Sequence, residues 1–97
     1  MHIELAWWDL DENDPDTAAL TSILTRQVRD EWEQVPNLMV KLWLVSGDSP
    51  RWGALMIWES DKPERLKLPS NISAKMIGRQ PDHRIAFDVL HETRRAR

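Results

Sequence analysis

Cysteine and tyrosine are absent from this chain, phenylalanine occurs once and glycine only three times. Without a thiol there is no disulfide, no thiolate zinc or iron–sulfur site and no cysteine nucleophile, a pattern that suits a reducing compartment. Three glycines are too few to hide a glycine-rich nucleotide loop. No apolar run approaches the ~18 residues of a membrane span, and Met1-His2-Ile3-Glu4 lacks the basic-then-apolar order of a secretion signal. A cytoplasmic location with no membrane partner is the expectation.

Against these shortages stand six tryptophans in 97 residues. The length implies one small domain whose core is marginal unless a partner adds buried area. Charge is uneven: residues 1–40 carry nine acids and two bases, residues 41–97 seven acids and eleven bases. The only basic run, Arg94-Arg95-Ala96-Arg97, is terminal, so no nucleic-acid face is expected.

Alternation from His2 to Trp8 predicts a first strand. Asp14-Pro15 reads as a helix start, and the spacing of Leu20, Ile23, Leu24, Val28, Trp32 and Val35 predicts one helix over Pro15 to Gln34. Pro36-Asn37 ends it, asparagine tolerating a left-handed backbone. Strands are expected over Leu38 to Ser46 and Trp52 to Glu59, joined as a hairpin through Gly47 to Arg51, with the register centred near Asp48-Ser49. Helical segments follow around Glu64 to Leu68 and from Asn71 to Ile77, closed by Gly78, and Arg84 to Leu90 is the fourth strand. The order β-α-β-β-α-β is the ferredoxin-like arrangement, an α+β fold with a four-stranded antiparallel sheet and helices on one face.

Sorting the strands by parity gives one aliphatic face of Ile3, Leu5, Trp7, Val40, Leu42, Leu44, Leu55, Ile57, Ile85, Phe87 and Val89. The other carries Glu4, Ala6, Trp8, Lys41, Trp43, Met56, Trp58, Arg84, Ala86 and Asp88. Neither suits water, and the helices suffice for one. A homodimer with two sheets packed together is expected.

The stretch Val35-Pro36-Asn37-Leu38-Met39-Val40-Lys41-Leu42-Trp43, followed by Trp52-Gly53-Ala54, by Ile57-Trp58-Glu59-Ser60 and by Phe87-Asp88-Val89, resembles the dimeric α/β-barrel superfamily. Within it the likeness is to the YdhR-like monooxygenases and the antibiotic-biosynthesis monooxygenases, with Asn37 where they carry glycine. The resemblance implies a ferredoxin-like dimer, a pocket between sheet and helices, and cofactor-independent oxidation of an aromatic or polyketide-like small molecule. Trp58 stands where relatives have a pocket tryptophan, which assigns the mixed face to the helix side. The asparagine that these relatives place four residues earlier is Ala54 here.

Trp8, Trp43, Met56 and Trp58 are therefore the candidate substrate-binding residues. Glu4, Lys41 and Asp88 are charged positions whose parity places them among tryptophans, where desolvation raises a carboxyl pKa and lowers that of lysine unless the groups pair. Asp88, read as a mid-strand residue, or Glu4 is the candidate base, with Lys41 stabilising the anion. The structural alternative is an ion pair of Lys41 with Asp88 or Glu4. Isomerase, cyclase or lyase chemistry in the same pocket and a non-catalytic binding dimer remain open beside the oxygenase reading.

No cofactor and no metal are expected. His2 and His91 fall at one end of the sheet and His83 at the other. Asp9 to Asp14 superficially suggests a calcium loop, but its sixth position is Asp14 instead of glycine and its twelfth is Leu20 instead of an acid, so it reads as a solvated loop and cap. Trp52, at the hairpin mouth, is expected to matter less than Trp43 and Trp58.

Overall fold

The computed structural model describes residues 1–60 and 67–96. It is a small α+β fold with an open four-stranded antiparallel sheet and, among the described residues, three short helices. The elements run β1 (His2–Asp9), α1 (Thr17–Ser22), α2 (Arg26–Glu33), β2 (Leu38–Ser46), β3 (Arg51–Trp58), α3 (Ile72–Ile77) and β4 (His83–Asp88). The strands lie in the order β2-β3-β1-β4. None of the described helices is long and apolar enough to cross a membrane.

The hairpin keeps the expected register: Lys41 faces Met56, Leu42 faces Leu55 and Trp43 faces Ala54. Below Val40 a bulge at Met39 shifts the pairing, so Leu38 faces Trp58. Asn37 takes the left-handed backbone that follows α2, with φ 68°, and its carbonyl accepts from the Glu59 amide at 2.8 Å. Gly78 ends α3 with φ 89°, again the left-handed region that glycine enters without penalty. At Gly53 the requirement is space: a Cβ there would lie 2.4 Å from the Ala6 carbonyl oxygen and 2.7 Å from the Trp7 Cβ.

Two expectations are corrected. The single helix over Pro15 to Gln34 is two helices, because polar side chains compete for its backbone at both starts. Asp16, two residues beyond the expected cap, accepts from the Ala19 amide at 2.8 Å to begin α1. Thr25 accepts from the Val28 amide at 3.3 Å to begin α2, and the break at Ile23–Leu24 follows. The fourth strand ends at Asp88 instead of Leu90, so Asp88 is terminal in its strand, not central. The helical segment expected around Glu64 to Leu68 lies largely outside the described residues, since positions 61–66 do.

The helices cover the face that carries Trp8, Trp43, Met56 and Trp58, with Trp8 and Trp58 buried. The opposite face holds aligned apolar rows: Val40, Ile57, Ile3 and Phe87 across one, Leu42, Leu55, Leu5 and Ile85 across the next. On the single chain this face is open, with Leu42 47% and Phe87 60% exposed. Every residue of β4 is exposed, since the helix contacts concentrate on β1, β2 and β3.

At the end of the sheet remote from Trp58, the loop read as solvated is held instead by Arg79. Its guanidinium donates to Asp14 at 2.7 and 3.2 Å, to Asp82 at 2.9 and 3.0 Å, and to the Asp9 carbonyl at 3.1 Å. These bonds hold the Asp14 carboxyl below its usual range and push that of Asp82 down to about 2. Nearby, His83 stacks on Trp7 with ring centroids 4.6 Å apart and meets Asp9 at 2.6 Å.

Candidate functional site

Two apolar clusters lie between sheet and helices, and Trp43 packs against both. One is built on Trp8, Leu20 and Trp52, closed by Ala74 and Ile77 of α3. The other is built on Trp32, Val35 and Trp58, with Val28, Leu38 and Met56 around it. Trp52 thus corrects its expected place at the hairpin mouth: it is 3% exposed and its indole N–H donates to Ser73 at 2.9 Å. The β3 parity that turns Met56 and Trp58 inward turns Trp52 inward as well.

The buried indoles differ in their hydrogen bonding. Trp8 donates to the Arg79 carbonyl at 3.0 Å and Trp52 to Ser73, whereas the Trp58 N–H is buried with no acceptor. Such an orphan donor costs about 1–3 kcal/mol. Trp58→Phe, which removes the donor while keeping most of the ring, is therefore expected to cost no more than about 1 kcal/mol, against about 3–5 kcal/mol for Trp58→Ala. Urea melts of the two variants check this difference.

Lys41 places an ionisable group against Trp32 of the second cluster. Its row across the sheet is Met56, Glu4 and Ala86. The Nζ atom lies 3.1 Å from the ring centroid of Trp32 and 5.0 Å from that of Trp43. Among the described residues no carboxylate lies within ion-pair distance of it. Burial pushes the Lys41 ammonium down to about 7 from its ordinary 10.5. The two indole faces resist that shift, because a ring face attracts the ammonium, by up to about 2 kcal/mol when desolvated. Beside Lys41 lies a cavity of about 330 Å³, lined by Trp32, Trp43, Leu38, Met39 and Val40 with Arg29 and Glu33. A larger hollow of about 430 Å³ at the end of α2, lined by residues such as Glu31, Gln34, Pro36 and Pro69, contains none of the candidate residues.

The candidates from sequence are thus divided. Lys41 and Trp43 line the cavity, while Trp58 and Met56 pack in the cluster around Trp32. Trp8 belongs to the neighbouring cluster. Glu4 sits in central strand β1 with its carboxylate 3.9 Å from Arg84 and its side chain 13% exposed. Asp88 is exposed on the far edge strand, near His2 in register. With β2 and β4 on opposite edges, Lys41 and Asp88 are separated by three strand spacings, about 14 Å. They do not pair, and the ion pair expected between them is replaced by Arg84 with Glu4.

Trp32, Met39, Arg29 and Glu33 are the lining residues that sequence reading passed over. Trp32 was legible only as part of the apolar stripe of its helix. Its separate position beside a strand lysine depends on how α2 lies across β2. No protein-family model matches this chain, and no curated protein matches it.

Proposed function

We propose that the chain forms a homodimer of ferredoxin-like subunits, each of which binds a flat aromatic or polyketide-like small molecule in the Lys41 cavity and oxidises it as a cofactor-independent monooxygenase. The observation that carries this reading is the desolvated Lys41 nitrogen set between Trp32 and Trp43 at a cavity wall. Indole faces favour a planar apolar ring, and a lysine titrating near neutrality serves a substrate that ionises on binding. As free amine it accepts the proton of an acidic hydroxyl or activated C–H; as ammonium it holds the resulting anion. The substrate anion supplies the electrons: one atom of dioxygen enters the substrate as a carbonyl and the other leaves as water.

The dimer belongs to the same reading. Its support is the open aliphatic face of the sheet, whose rows are continuous over all four strands. Packing two such faces removes from water a patch that a lone domain of this size does not tolerate well.

Oxygen uptake with anthrone, together with tryptophan quenching by the same compound, tests the proposal. Quenching and protein-dependent uptake are expected, with turnover lowered about 100-fold or more in Lys41→Met. Quenching without uptake would overturn the oxygenase and leave isomerisation, cyclisation, elimination or simple binding. Absence of quenching would remove the pocket itself.

A further inference from the structure

We propose that Lys41 is a carbonyl-capturing nucleophile, and that the small molecules this cavity takes are aromatic aldehydes or ketones held as a Schiff base on its Nζ. The inference deepens the pocket reading above and rests on it for the identity of the substrate class, but its chemistry is testable without turnover.

The geometry sets Lys41 apart from the other described lysines. A lysine becomes a nucleophile at neutral pH when its surroundings strip its solvent and deny it a carboxylate partner. Among the described residues Lys41 meets both conditions, held on edge strand β2 against Trp32 and Trp43, whereas Lys67 and Lys75 are exposed. The charged groups that share its surroundings are Arg29 and Glu33 of α2, which line the same cavity, and Glu4, two strands away across Met56. Arg29 favours loss of the lysine proton, and the two carboxylates oppose it. The cavity gives an aryl carbonyl room beside the amine, with the indole of Trp43 as one wall.

In the capture step the unprotonated Lys41 nitrogen attacks the carbonyl carbon, forming a C–N bond as the C=O electron pair moves to oxygen. The carbinolamine takes up a proton at that oxygen and loses water, leaving the protonated imine. No oxidant or reductant is consumed. In a ketone that carries one, an imine so placed acidifies the C–H next to the former carbonyl; water takes that proton, and the carbanion required above forms without Asp88 or Glu4 in contact with the substrate.

The test is reductive trapping. The intact protein is incubated at pH 7 with limiting 2-naphthaldehyde and sodium cyanoborohydride, and each amine is quantified by peptide mass spectrometry. Lys41 is expected to be labelled at least tenfold faster than Lys67 and Lys75, with the α-amino group of Met1 as internal standard. Labelling of Lys41 should rise through pH 7 and level off. Lys41→Arg, which keeps a cation between the rings, should lose this fast site and leave the rates at the other amines unchanged. Labelling of Lys41 no faster than Lys67 and Lys75, while Met1 reacts normally, would overturn the proposal. Binding of 2-naphthol, which has no carbonyl, is followed by tryptophan quenching on the same sample. Quenching by naphthol without fast labelling of Lys41 sinks the nucleophile and spares the pocket.

Discussion

Leu42→Lys should yield a folded chain with a mass of 11.4 kDa, where the proposed native dimer would run at twice that value. Leu42 is 47% exposed on the single subunit, in the row with Leu55, Leu5 and Ile85. A lysine there can bend its ammonium into water, so the isolated subunit loses little. Between two packed sheets the same ammonium would be buried without a partner, at about 3–5 kcal/mol for each copy, enough to raise the dissociation constant by a factor of about ten thousand or more. Light scattering with circular dichroism at micromolar concentration separates the outcomes. A native-like dimer of Leu42→Lys would place the interface elsewhere, and a native protein that is monomeric from the outset would remove the dimer altogether.

The strands and their two faces were legible because parity in a strand is strict: a period of two assigns every residue from Ile3 to Trp8 and from Val40 to Val45 once one is placed. The hairpin register followed from the short polar turn at Gly47–Pro50, and the positions of Asn37 and Gly78 from their tolerance of positive φ. The helix break at Ile23–Leu24 was hidden because Leu20, Ile23, Leu24 and Val28 keep helical spacing through it. Competition from the Thr25 hydroxyl for the Val28 amide is a local event that periodicity does not register. The candidate site was legible to the level of a face. Lys41, Trp43, Met56 and Trp58 share one, but a face is four strands wide, and parity alone put Asp88 beside Lys41 when strand order sets them on opposite edges. Trp32 needed a tertiary fact, the path of α2 over β2, that no spacing encodes.

Lys41→Met should be more stable than the native protein in mild acid, with the gap closing as the pH is raised. In the unfolded chain the amine keeps its proton up to about 10.5, whereas burial lowers the folded value to about 7. Below pH 7 both states are protonated, and the native protein bears the full desolvation penalty of the ammonium. From pH 7 to 10.5 the unfolded state binds a proton that the folded state does not. Native stability therefore rises with pH across this window, by up to about 1.4 kcal/mol per unit, and is flat outside it as far as this group is concerned. Methionine fills nearly the same volume without a charge and shows no such rise. The contacts of the ammonium with Trp32 and Trp43, lost in the variant, offset up to about 2 kcal/mol of the gain. The net expectation is a variant stabilised by about 2–3 kcal/mol at pH 6, its advantage falling toward the packing difference alone by pH 10.5. Urea melts of both proteins at pH 6, 8 and 10 measure it, other titrating groups cancelling in the comparison. A variant less stable at pH 6, by an amount that does not change with pH, would mean that the two indoles stabilise the ammonium more than burial penalises it. A variant that gains stability as it loses capture and turnover would show that the protein keeps a buried amine at the expense of its own fold, as expected of a group retained for chemistry.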